Sequence, residues 1–99
     1  MDISQKMSPR QQATLSTLIR RFNQERLPRI QAMQVRVHQG ELLGEIELQY
    51  LERVIRDLRR NQAKALGNPR FEALLSKVVA LYVDVTDKAL ENERAFRQR

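Results

Sequence analysis

NPRFEALLSKVVALYVDVTDKALENERAFRQR, residues 68–99, is the stretch whose reading decides the fold. Phe71, Leu74, Leu75, Val78, Leu81, Tyr82, Val85 and Ala89 recur three and four residues apart, the spacing that gathers side chains on one helix face. A second apolar line, Leu75, Val79, Val83, Thr86 and Leu90, runs beside the first. Together they form a band too wide for a single neighbouring helix to cover. VVALYVDV is short and β-branched enough to suggest a buried strand, but the three-four spacing begins before it at Phe71 and continues past it to Leu90. From about Asn92 the chain turns polar, and its end is expected to fray, with Phe96 the residue there that invites a contact.

The junction before this helix is the most specific local signal in the chain. Gly67 suits a helix C-terminus, Asn68 an N-cap and Pro69 the first helical position. A connection this short obliges the two flanking helices to be neighbours. The preceding helix reads from Glu45 to Leu66, with Leu48, Leu51, Val54, Ile55, Leu58 and Leu66 as its buried stripe. Glu45 and Glu47 fall in its first turn and Arg59, Arg60 and Lys64 in its later turns, which matches the helix dipole.

Further toward the N-terminus, residues 1–7 read as a loose lead-in. Ser8-Pro9-Arg10-Gln11 is a helix start, with Ser8 as cap, Pro9 at the first position and Gln11 able to complete a capping box. Leu15, Leu18, Ile19 and Phe22 share a face. Pro28 then interrupts: its missing donor and its ring would cost a straight helix about 3 kcal/mol, and Leu27 before it is steered away from helical angles. Ile30, Met33 and Val37 resume in phase with Ile19 and Phe22. The pattern therefore favours one helix from Pro9 to about Gln39, kinked near Pro28, over two helices meeting at Arg26–Leu27. Gly40 is placed to cap its end, and Glu41–Gly44 connects it onward. A hairpin over residues 35–48 is the alternative, from the alternation of Val35, Val37, Ile46 and Leu48. Against it, Ile46–Leu58 also fits helical spacing, and no Asn-Gly or Asp-Gly pair supplies a tight turn.

These readings predict an all-α fold: an elongated three-helix bundle, largely antiparallel, with the first helix kinked or broken near Pro28. Ninety-nine residues form a single domain, helical over about 9–39, 45–66 and 69–95, with 96–99 frayed. The 41% hydrophobic and 30% charged content is that of a folded chain. With no cysteine, no signal-like leader and VVALYV as the longest apolar run, the expectation is a cytoplasmic protein without a disulfide, thiolate chemistry or membrane span.

The formal charge of +6 is uneven, and arginine outnumbers lysine fourteen to four. Six arginines lie between Arg10 and Arg36 against the single acid Glu25. Arg53, Arg56 and Arg60 make a ridge on the second helix, away from Leu51, Ile55 and Leu58. Glu52 with Arg56 and Asp57 with Arg53 stand four apart, the ordinary wiring of an exposed helix surface.

Chemistry is thin by comparison. His38, the sole histidine, lies near the end of the first helix, where it can cap carbonyls. No second ligand of metal-site spacing accompanies it. Asp84, Asp87 and Glu91 share one side of the last helix, with Lys88 as an ion-pair partner for Asp84, and read as a solvated face. Ser16, Ser76 and Thr86 lie within helices, and no glycine-rich loop follows a strand. No enzymatic activity, metal or cofactor is therefore expected.

The expected role is protein–protein recognition. Leu27, Leu42, Leu43, Tyr50, Val83 and Leu90 all need cover, more than so small a chain readily supplies. Self-association is the economical solution, with Tyr50, Val83 and Leu90 as dimer contacts. Arg53, Arg56 and Arg60 would donate to the carboxylates of an acidic protein partner. The alternative is a nucleic-acid-binding accessory protein using Arg20, Arg21, Arg29, Arg53, Arg56 and Arg60 against phosphates. A third class, a small helical enzyme or metal protein, would need a pocket collecting His38 with several carboxylates.

Overall fold

Four α-helices build three rods in the computed structural model, which describes residues 7–98. The first rod is α1 (Pro9–Arg21), one π-helical turn (Phe22–Arg26) and α2 (Leu27–His38), joined without a break. The second is α3 (Glu45–Gln62) with a 3₁₀ turn at Ala63–Ala65, and the third is α4 (Pro69–Arg97). Residues 1–6 of the expected lead-in, and Arg99, lie outside the described residues. At the C-terminal end α4 continues through Phe96, past the fraying point expected near residue 95.

Contacts between rods fix their directions. Ser16 meets Arg70, Gln34 meets Asp84 and Val37 meets Asn92, so the first rod runs parallel to α4. Arg26 meets Asp57 and Arg36 meets Glu47 in the opposite order, so α3 is antiparallel to the first rod. The bundle measures 62 × 22 × 17 Å. Its radius of gyration of 16.5 Å exceeds the roughly 13 Å of a compact chain this long. The elongated all-α architecture is as the sequence predicts, and the wide apolar band of α4 is explained by its packing on both α2 and α3.

The helix ends are held by the residues whose chemistry suits them. Ser8 Oγ accepts from Gln11 N–H (3.1 Å) while Ser8 N–H donates to Gln11 Oε1 (2.8 Å), a complete capping box. Asn68 Oδ1 accepts from the N–H groups of Arg70 (2.9 Å) and Phe71 (3.1 Å). After α2, Gly40 N–H donates to Val37 O and Glu41 N–H to Arg36 O, the paired bonds of a Schellman motif. That motif needs a left-handed residue, supplied by Gly40 at φ 91°. It closes α2 where the hairpin alternative required extended chain. Among the described residues there is no strand; Val35 is in α2 and Ile46 in α3, both exposed.

Three expectations are corrected. First, Leu27 does not leave helical angles before Pro28: it sits at φ −61°, ψ −47°, and its N–H donates to Phe22 O, five residues back. This wide turn precedes Pro28, whose ring would otherwise press on the Gln24 carbonyl. One additional residue rotates everything beyond it by about 100°. Leu27 rather than Arg26 therefore follows Phe22 onto the buried face, at 6% exposure. It belongs to the core and does not need a second subunit. Second, α3 does not carry a regular helix to Leu66. The 3₁₀ turn overwinds its end, burying Ala65 completely and leaving Leu66 left-handed (φ 51°) and 42% exposed. Third, the ion pairs expected at four-residue spacing for Asp57 and Asp84 are replaced by others. Asp57 takes Arg26 (3.1 Å) and Arg60 (3.6 Å), not Arg53, and Lys88 takes Glu91, not Asp84.

Candidate functional site

Two surface features remain after the core is assembled. They follow from the way the first rod is bent and from how far α4 outruns its cover.

The first is a groove. The α2 half of the first rod is stitched to α3: the Arg29 guanidinium lies 3.9 Å from the Tyr50 ring centre, and Arg36 bonds Glu47. The α1 half rests on α4, where Arg70 reaches Ser16 Oγ. Residues of α1, the π turn and α3 line an open trough of about 710 Å³. Half-buried Leu18 lines it above the buried core residues Phe22 and Leu58, and Arg21, Arg26 and Arg60 share the lining with Glu25 and Asp57. The π turn contributes Phe22, Glu25 and Arg26, so the same irregularity that buries Leu27 also shapes one end of the groove.

The second feature is a strip on α4. Leu75 and Val79 are half-buried, whereas Val83 and Leu90, seven residues apart and so on one face, are about half exposed. The strip leads into a smaller groove of about 380 Å³ where Leu42, Leu43 and Leu48 approach Thr86, Ala89, Leu90 and Phe96, with Glu93 and Arg97 also in its lining.

The residues singled out from the sequence are distributed over these features unequally. Arg21 and Arg60 line the groove. Arg53 and Arg56 are exposed further along α3 and, among the described residues, form no ion pair. Arg20 is exposed at the end of α1. Arg29 stacks on Tyr50 across the α2–α3 seam. Phe22 and Leu58 beneath the groove are core, as their helical spacing predicts, with Leu18 packed half-buried against that core. Arg26 is the lining cation that the sequence does not single out.

His38 and Asp84 do meet, though not as a metal site. Asp84 Oδ2 accepts from Gln34 Nε2 (2.7 Å) and from His38 Nε2 (2.8 Å), tying the end of α2 to the middle of α4. An ionised carboxylate only accepts, so Nε2 carries the proton. The Gln34 amide, then His38, holds the Asp84 carboxyl below its ordinary range. Asn92 reinforces the joint, donating to the carbonyls of Val37 (2.7 Å) and Glu41 (3.0 Å). At the other side of α2, Arg36 holds the Glu47 carboxyl low, helped by the Gly44 N–H. Among the described residues, no three His, Cys, Asp or Glu side chains converge as a metal site, and no helix is long and apolar enough to cross a membrane. No protein-family model, curated protein or solved structure matches the chain.

Proposed function

We propose that the chain is a non-catalytic helical interaction module that pairs with a second copy of itself along α4 and presents the arginine face of α3 to an acidic protein. The observation that carries this reading is the pair Val83 and Leu90, 48% and 49% exposed on one face of the longest helix. With Leu75 and Val79 they make an apolar line about 22 Å long at the helical rise. A two-fold axis across such a line covers it with its own equivalent, which is the usual solution for small chains. Tyr50, half-buried and stacked against Arg29, lies on a different helix from this line.

Sedimentation velocity across a wide concentration range tests the pairing. The parent chain is expected to dimerise and a Val83→Glu/Leu90→Glu variant to remain monomeric with unchanged helical circular dichroism. A parent chain that stays monomeric throughout refutes it. Because Arg53 and Arg56 lack the helix partners expected for them, phosphate binding is the second reading. Steeply salt-dependent binding to random duplex or single strands would favour it, and no binding at low salt removes it.

A further inference from the structure

We infer, resting on the self-pairing proposed above, that the two copies lie antiparallel along α4. The two-fold axis crosses the helix between Ala80 and Val83, and Asp87 of each chain faces Ser76 of the partner subunit.

Away from the core, α4 carries a second line. Ala73, Ser76, Ala80, Val83, Asp87 and Leu90 alternate three and four residues apart, and all are exposed. At about 3.6 residues per turn they lie half a turn from buried Phe71, Leu74, Val78 and Val85, so they form the outer seam of the helix. Half-buried Leu75 and Val79 lie on its flank. A three-four repeat is the spacing with which one helix packs lengthwise on another. From Ala73 to Leu90 the seam is about 26 Å long at the helical rise. Its small members, Ala73, Ser76 and Ala80, stand in the N-terminal half, and the larger Val83, Asp87 and Leu90 in the C-terminal half. A line with that polarity fits its own reverse, small against large, whereas a parallel copy sets large against large.

With the axis between Ala80 and Val83 the layers match. Val83 lies over the partner's Ala80 and Leu90 over the partner's Ala73, while the Asp87 carboxylate accepts from the hydroxyl of the partner's Ser76. Charge selects the same direction. A parallel pairing sets Asp87 against its own copy and, two turns on, Arg94 against its own, like charges on one seam. In the antiparallel order Lys77, which forms no ion pair among the described residues, comes within about 3 Å of level with Asp84 of the partner subunit. Gln34 and His38 bond Asp84 Oδ2 and leave Oδ1 for that contact. Glu72 comes near the partner's Glu93, a carboxylate that Arg97 already pairs within each chain.

The chain has no cysteine of its own, so introduced ones report the register. Ser76→Cys and Asp87→Cys chains are mixed in equal amounts, at a concentration where sedimentation shows the parent dimer, and oxidised in a glutathione buffer. A disulfide-linked dimer of one chain of each kind is expected, at least about tenfold more abundant than either variant gives alone, because each cysteine is about 16 Å from its own copy along the seam. Lys77→Glu should weaken the dimer about fivefold, as two symmetric contacts turn repulsive. Ala80→Trp, which props the helices apart at an exposed site, should weaken it at least about tenfold with helical circular dichroism unchanged. Cysteine chains that link to themselves as readily as to each other overturn the antiparallel register and leave the self-pairing standing. A Lys77→Glu or Ala80→Trp dimer as tight as the parent's does the same, since the contact then lies off this seam. A parent chain that sediments as a monomer throughout overturns both.

Discussion

Leu27 and Leu66 offer the sharpest test of the architecture, because helical periodicity and the structure assign them opposite places. Leu27 is 6% exposed, brought inward by the π turn, whereas Leu66 is 42% exposed with a left-handed backbone. Truncating Leu27 to alanine removes packed core atoms and leaves a cavity that neighbours fill only in part, at a cost of about 3 kcal/mol. For a chain of this size that lowers Tm by roughly 12–24 °C. Leu66→Gly removes a side chain that is already partly in water, worth about 1 kcal/mol of burial. It also relieves a left-handed conformation that costs a non-glycine residue roughly 1–2 kcal/mol. Added backbone freedom in the unfolded chain takes back part of that gain. The sum for Leu66→Gly is within about 1 kcal/mol of zero on these terms. Urea unfolding followed by far-ultraviolet circular dichroism, at one protein concentration so that self-association is held constant, measures both. A Leu27→Ala change within about 0.5 kcal/mol of the parent would place that side chain at the surface and refute the π turn. A Leu66→Gly loss as large as that of Leu27→Ala would refute the 3₁₀ ending of α3.

Three further outcomes follow from the caps and the α2–α4 joint. Gly40→Ala should destabilise by about 1–2 kcal/mol, read from thermal melts: its φ of 91° is costly for any residue with a Cβ even though no neighbouring atom stands in the way. Asn68→Ala should cost about 1 kcal/mol, since two N–H groups at the start of α4 lose their acceptor. The Asp84 carboxyl is lowered in the folded state from its ordinary value of 3.8. Its stabilising contribution is therefore present above that value and is lost as pH falls through the lower folded one. Parent and Asp84→Asn unfolding curves measured from neutral pH down to acid should converge, and a gap that widens on acidification would contradict the sign.

What could be read directly were features written in consecutive residues. Ser8-Pro9-Arg10-Gln11, Gly40 and Gly67-Asn68-Pro69 act on backbone groups only a few positions away, so their geometry travels with the sequence. The stripes of α3 and α4 were legible for a related reason: burial of one face repeats at the helical period over many residues, and a single exception such as Ala65 does not obscure it. The groove was much less legible. Arg21 and Arg60 were candidates, but as members of separate helical faces. Phe22 and Leu58 read as core and are core, but side-chain spacing does not say how closely two helices approach above them.

The sequence by itself determined that the chain would be three rods joined by short links, where each begins, and which face of each turns inward. Those are consequences of local hydrogen bonding and periodic burial. Tertiary structure alone decided which side chains meet between rods. Asp57 reaches Arg26 across the bundle, besides Arg60 on its own helix, and Asp84 reaches Gln34 and His38, because a side chain at a helix seam faces the neighbouring rod. It also decided the π turn. A five-residue step is unfavourable in an isolated helix and persists here with Phe22 and Leu27 both packed in the same core.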